Sequence, residues 1–406
     1  MLSLQKLKQQ VSDEVQNNIL SYWLEMVDTK RGGFNCYASF EGDIDLNHQK
    51  SVLLHSRILW SFSAAQITFP CNDYLEVAQH TFQFMKDHAL DRTNGGVYWM
   101  LDSDGKVSDP QKHIYNQSFA IYALSEFYKA TQSEEALCIA IELFDLVEKH
   151  GFDSINGGYH EAFNETWQPI DNQLVCDTEE GVLAGKSMNT HLHILEAYSN
   201  LYKVWPNHLL ESRIHHLLLL FKDTIIDDKL HFRLFFTPEW QCISNDVSYG
   251  HDIEGTWLLD DAANQIHDRH LASDIYTLTS KMAEVTLREG LDTDGAVFNE
   301  LQAGRLLDSD RIWWVQAEAM VGFYNAFQKD FAPEFWQGTN GCWNIITSTL
   351  VDIKHGEWHW KTDRSGTPYT NEPKVEPWKC PYHNARACLE IYCRINAYEE
   401  QKNVCC

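Results

Sequence analysis

Proline is scarce in this chain, 10 in 406 residues, and no Gly- or Ser-rich stretch interrupts it. Without a linker to divide it, residues 1–406 are expected to form a single domain, although length alone would suggest two or three. No run of roughly eighteen apolar residues occurs, so no membrane-spanning helix is expected. No Cys-x-x-Cys pair is present, and 11 cysteines, an odd number scattered through helical segments, make no disulfide framework. Gly-x-Gly-x-x-Gly and P-loop patterns are also missing, as is a clear cluster of metal ligands. Neither a cofactor nor a metal is therefore expected. Positive charge is in short supply too: the formal net charge of −26 repels phosphates and anionic lipid, which argues against nucleic-acid and membrane partners. The opening Met1-Leu-Ser-Leu-Gln-Lys6 breaks its apolar residues with polar ones, unlike a signal peptide. The expectation is a soluble protein of a reducing cytoplasm, for which a monomer is a reasonable form.

What the chain does have is a repeat. Acidic turns leading into Gly or aromatic residues begin at Asp28, Asp91 and Asp153, with weaker copies at Asp227, Asp292 and Asp352. Their spacing is roughly 60 to 75 residues, the period of a supersecondary unit. After each turn, apolar residues recur at helical spacing. The segment 51–66 is apolar on several sides, whereas 72–90 keeps a polar face. The same contrast recurs between 113–131 and 134–150, 187–204 and 207–226, 250–266 and 268–290, and 311–328 and 331–350. An amphipathic helix at 4–27 opens the series and a buried one at 381–397 ends it. Alternating buried and amphipathic helices predict an all-α (α/α)6 barrel, six inner helices ringed by six outer ones, with the Gly-Gly-aromatic segments as short β-hairpins on one face. An open solenoid would need polar capping repeats at its ends, and neither terminal helix has that character.

Polar residues keep recurring where the buried helices begin. His251 and Glu254 are three apart and share a helical face, so the carboxylate is placed to orient or charge the imidazole. Asn189 and His193, four apart, share another. His383 opens the last buried helix behind Pro381. Arg57 stands in an otherwise apolar helix, where an unpaired guanidinium is costly. It calls for carboxylates such as Glu254 or Glu318, a polar pocket or an anionic intermediate. Singly, such a His is more often a cap or a satisfied core residue, and Trp313, Trp314 and Trp378 would pass as core filler. Gathered at one barrel mouth they describe a catalytic pocket. Histidines titrating near neutrality move protons, an Arg stabilises an enediolate, and aromatic faces stack on pyranose rings. The chemistry indicated is proton transfer on a sugar.

Five stretches carry a family resemblance: Val52-Leu-Leu-His-Ser-Arg-Ile-Leu-Trp60, Asn189-Thr-His-Leu-His193, Gly250-His-Asp-Ile-Glu254, Trp313-Trp-Val-Gln-Ala-Glu-Ala319 and Trp378-Lys-Cys-Pro-Tyr-His-Asn384. They resemble the N-acylglucosamine 2-epimerase superfamily, most of all its cellobiose 2-epimerase branch, over nearly the whole chain. The resemblance implies cofactor-free inversion at C2 of the reducing-end glucose of a β-1,4-linked disaccharide. It implies His251 and His383 as the two acid/bases, with His383 assisting ring opening, and Arg57 on the enediolate oxygen. His193 and Asn189 would position O1 and nearby hydroxyls, and Glu254 would tune His251. Tyr115, Trp314 and Trp378 would bind and stack the sugar rings, with Trp313 beside them. A monosaccharide-acting relative, such as a mannose 2-epimerase or an aldose–ketose isomerase, would share the histidines and Arg. An (α/α)6 glycoside hydrolase would need two carboxylates flanking the bond, for which Asp252, Glu254 and Glu318 are the nominees.

Overall fold

A computed structural model describes residues 2–172, 183–302 and 305–404. Among them, six helices form an inner ring: α3 (Val52–Thr68), α5 (Ile114–Thr131), α7 (Met188–Tyr202), α9 (Tyr249–Ala263), α11 (Trp313–Asp330) and α13 (Tyr382–Val404). Each packs on the next, and α13 packs back on α3, so the ring closes. Outside it lie α4 (Asn72–Phe84), α6 (Glu134–Leu146), α8 (His208–Leu220), α10 (Arg269–Val285) and α12 (Pro333–Ile345), each against the inner helix preceding it. The sixth outer position is filled from the other end of the chain. There α1 (Leu4–Glu14), which runs on through a π-helical stretch into α2 (Ser21–Glu25), covers α13. The architecture is the expected (α/α)6 barrel. All-round burial of the inner helices explains their apolarity: in α3 every residue from Val52 to Ala65 is buried.

The predicted spans of the outer helices hide one irregularity. Each of α4, α6, α8, α10 and α12 ends in a single π-helical turn, Met85–Ala89, Val147–Gly151, Phe221–Ile225, Thr286–Gly290 and Ile346–Leu350. The wider turn leads straight into the acidic loop. In that loop the Asp is held by a buried cation from the strand ahead of the inner helix. The pairs are Lys50 with Asp28 (2.9 Å), Lys112 with Asp91 (2.8 Å), Lys186 with Asp153 (2.8 Å), Arg311 with Asp292 (2.6 Å) and Lys374 with Asp352 (2.5 Å). The fourth unit departs from this, with Val247 at the corresponding place.

In five of the six units the fourth residue of the inner helix holds the hairpin; in the sixth that place is Ala385, and Trp358 N donates to Glu357 Oε1 (2.8 Å) instead. Phe34 N donates to His55 Nε2 (3.0 Å), Val97 N to Gln117 Oε1 (2.8 Å) and Tyr159 N to His191 Nε2 (2.8 Å). Phe232 N donates to Asp252 Oδ1 (2.8 Å) and Val297 N to Gln316 Oε1 (2.9 Å). The second Gly of the pair is required here. Gly33 has φ +65°, and a Cβ on it would stand 2.5 Å from His55 Nε2. His55 and His191 are thus clips that hold hairpins, not groups of the pocket.

Short strands complete one face of the barrel. Lys50–Ser51 pairs with Met100–Leu101, Lys112–His113 with Ala162–Phe163 and Lys186–Ser187 with Phe235–Phe236. Asp246–Ser248 pairs with Glu300–Gln302, and Arg311–Ile312 with Lys361–Thr362. All are antiparallel, and a bridge between Val375 and Ala38 joins the last unit to the first.

Candidate active site

On an α-helix the second and sixth residues share a face, while the fourth points nearly the opposite way. With the fourth residue of five of the inner helices turned out to its hairpin, the second and sixth turn toward the barrel axis. Those positions hold Tyr115 and Phe119 in α5, Asn189 and His193 in α7, and Trp314 and Glu318 in α11. They also hold Arg57 in α3, Glu254 in α9 and His383 in α13. The second residue of α9 is Gly250, and His251 follows it.

The rings gather as this predicts. Trp314 lies 4.7 Å from His251 and 5.7 Å from His383, centroid to centroid. Tyr115 is 5.1 Å from His193 and 5.9 Å from Trp378. Asn189, His251, Trp314 and Trp378 keep partial exposure, and the Asn189 amide oxygen has no hydrogen-bond partner among the described residues. Trp313 is different. Its ring is 3 % exposed and packs 4.5 Å from Trp360, 6.3 Å from His383, so it backs the histidine instead of offering a free face.

Each imidazole commits Nδ1 to the protein: His383 to Glu318 Oε1 (2.7 Å), His193 to Glu196 Oε2 (2.8 Å) and His251 to Ser248 Oγ (2.8 Å). No described residue bonds their Nε2 atoms, which are left for a ligand. Burial pushes His251 down to about 3, helped by the nearby His193. Burial also carries His383 well below its ordinary value, with Arg386 and Arg57 adding to the effect, and lowers His193. All three are neutral at pH 7.

Arg57 is buried without forming an ion pair among the described residues. Its Nη2 donates to Tyr115 Oη (2.7 Å) and its Nη1 to the Trp378 carbonyl (3.3 Å), while Nε has no partner. The rings of Phe119 and Tyr382 lie 4.3 and 4.9 Å from its carbon centre. Such contacts return about 0.5–2 kcal/mol apiece, which leaves a buried cation short of a counter-charge.

The carboxylates proposed for Arg57 are taken by Arg386, which sequence reasoning passed over. Its Nη2 donates to Glu254 Oε1 and Glu318 Oε1, both at 2.6 Å, and its Nη1 bonds Glu196 and the Tyr382 hydroxyl. Glu254 therefore does not pair with His251 as its spacing suggested, because the guanidinium draws it away. Glu196 was missed as well. Its signal was there, three residues after His193, the same spacing that had been read for His251 and Glu254. Glu254, Glu318 and His383 offer ligand-type atoms within 4.8 Å of one another. Arg386 already supplies a cation between the two carboxylates, which leaves the group poorly suited to a metal ion.

Residues 32–387 match the family model described as N-acylglucosamine 2-epimerase (GlcNAc 2-epimerase). A cellobiose 2-epimerase of Dictyoglomus turgidum is 40% identical over 396 residues, covering 97% of this chain and 100% of the relative. One of Bacteroides fragilis is 42% identical over 391 residues, covering 95% of this chain and 98% of the relative. The solved cellobiose 2-epimerase of Bacillus thermoamylovorans superposes with a TM-score of 0.92 at 37% identity, covering 96% of this chain and 100% of that one. With a match of this extent over the residues that build the pocket, the chain belongs to the N-acylglucosamine 2-epimerase family.

Proposed function

We propose that this protein is a cellobiose 2-epimerase. It reversibly inverts C2 of the reducing-end glucose of β-1,4-linked disaccharides, converting cellobiose to 4-O-β-D-glucopyranosyl-D-mannose. The observation that carries the reading is the gathering of two neutral imidazoles, His251 and His383, within 4.7 and 5.7 Å of the partly exposed Trp314 ring. One imidazole removes the C2 proton of the open-chain sugar and the other returns a proton to the opposite face. His383 first assists ring opening. The enediolate that forms between the two steps is an anion, and Arg57, buried with no ion pair among the described residues, receives it. Asn189 and His193 hold O1 and neighbouring hydroxyls, while Tyr115, Trp314 and Trp378 receive the sugar rings. Glu254 acts from behind, as one of the acceptors that hold Arg386. Sequence similarity of 40% and 42% to cellobiose 2-epimerases over nearly their full lengths supports the disaccharide as substrate.

Product analysis by NMR on cellobiose, lactose, glucose and mannose, run in deuterium oxide, tests this reading. Epimerised disaccharide bearing deuterium at C2 is expected, with activity unaffected by chelator. Epimer formed without solvent isotope would point to internal return or hydride transfer. Activity abolished by chelator and restored by zinc or manganese would overturn the metal-free mechanism. Turnover of mannose with cellobiose hardly touched would transfer the reading to a monosaccharide enzyme.

A further inference from the structure

Arg386 is fully buried, so it lies behind the pocket histidines, out of reach of solvent. Its carbon centre stands 4.1 Å from the Tyr382 ring and 4.8 Å from that of Trp257. Three carboxylates share this one guanidinium. Glu196 would be raised by burial, but Arg386 together with bonds from His193 and Tyr382 overrides this and holds it down to about 2. Glu318 and Glu254 stay raised, by burial in both and by repulsion from Glu318 in the second, with Arg386 opposing the rise. Two of the three are the carboxylates that meet histidine Nδ1 atoms. Glu318 carries His383 and Glu196 carries His193, whereas His251 has only the Ser248 hydroxyl.

We propose that Arg386 is a positioning residue of the epimerisation, clamping Glu318 behind His383 and Glu196 behind His193 so that both rings keep one tautomer and one orientation. The clamp makes the two acid/base histidines unequal. When His383 takes the C2 proton on Nε2, its Nδ1 proton remains shared with a carboxylate, which stabilises the imidazolium. His251 meets a hydroxyl, Ser248 Oγ, in place of a carboxylate at Nδ1. The groups that face this assembly are Arg57 from α3, Tyr122 from α5, His193 and Glu196 from α7, His251 and Glu254 from α9, Glu318 from α11 and Tyr382 from α13.

This inference rests on the two-histidine reading, and Arg386→Lys tests it. Lysine keeps the charge but is a point donor that cannot span the same acceptors. The expected variant is folded by circular dichroism, has KM within about twofold of the wild type, and loses roughly 10- to 100-fold in kcat with a displaced pH profile. Labelling histidine with nitrogen-15 supplies a readout that needs no substrate. His193 and His383 should show the Nδ1–H tautomer in the wild type and lose that uniformity in Arg386→Lys. A folded variant with wild-type kcat, pH profile and tautomers would reduce Arg386 to structural filler. Should Lys fail to fold at this site, Glu318→Gln and Glu196→Gln take its place. Unchanged tautomers and pH profile in both would overturn the proposal, and a shift in either supports it. Rates are taken as ratios on whichever aldose the wild type epimerises, so failure on cellobiose alone counts against the substrate and not against Arg386.

Discussion

Gly250 shows how closely the pocket depends on single side chains. A Cβ there would stand 2.6 Å from Trp314 Cη2 and 2.9 Å from Val315 Cγ2, so the ring that touches both histidines sits where only glycine leaves room. Gly250→Ala should therefore keep the fold, displace Trp314 and cut kcat/KM by about tenfold or more, since a misplacement of an ångström in an active site costs up to roughly 10²-fold. Normal kinetics in that variant would mean that Trp314 moves without consequence. His251→Ala and His383→Ala should each lower turnover by about 10²- to 10⁴-fold with the fold intact, measured on the NMR product assay. Arg57→Ala should be as severe because the enediolate loses its cation. A folded His383→Ala variant with near-normal activity would end the two-histidine mechanism. Much of this was legible in the sequence, because a polar residue opening an apolar helix is conspicuous. The partners were less so. Three-residue spacing brings two side chains onto one face, but it does not say which of them a third group will claim. Arg386 claims Glu254 and leaves His251 to Ser248, while Glu196 does reach His193.

Within a unit, the clip at the fourth helical position separates structure from chemistry. His55 and Gln117 do the same work there, so His55→Gln should fold with stability at pH 7 changed by about 1 kcal/mol or less. Their response to acid differs. Burial holds His55 down to about 3, against an ordinary value of 6.5. Between those values the unfolded chain binds a proton that the folded one refuses, so stability falls as pH drops below 6.5. His191, also held to about 3 by burial, acts in the same direction. Asp91, which Lys112 and backbone amides hold at about 2 against the pull of burial, adds a further loss below its ordinary 3.8. Urea midpoints at pH 7 and pH 5 should show a smaller drop for His55→Gln than for the wild type. Equal drops would remove His55 from the acid response. The helix spans themselves were readable to within a few residues from apolar spacing, except at the end of α13, which runs seven residues beyond the expected 397. The π-helical turns were not, because one widened turn at a helix end barely alters the pattern of buried side chains.

At the scale of the whole barrel, closure decides where Trp378 stands. Elsewhere the inner helix starts directly after a short strand, which in all but the fourth unit carries the cation of the acidic loop. In the last unit Lys374 and Val375 close the ring onto Asp352 and Ala38, and six further residues precede α13 at Tyr382. Alternation of buried and amphipathic helices made a barrel legible, but no local pattern revealed that α1 would cover α13, since that contact joins opposite ends of the chain. The six extra residues hold Trp378 beside the site. Its amide donates to Glu376 Oε1 (2.8 Å), its carbonyl accepts from Arg57, and its ring lies 5.9 Å from Tyr115 and 6.0 Å from Trp99. A disaccharide places a second pyranose beyond the reacting one, and Trp378, partly exposed beside the pocket, is the ring proposed to receive it, Trp313 being buried. Trp378→Ala should then weaken kcat/KM for cellobiose by about 5- to 150-fold, the worth of roughly 1–3 kcal/mol of aromatic contact, with residual activity on glucose or mannose much less affected. The backbone contact to Arg57 survives the substitution, so the comparison isolates the ring. Equal losses on disaccharide and monosaccharide would place Trp378 against the reacting sugar and leave the distal ring without an aromatic platform.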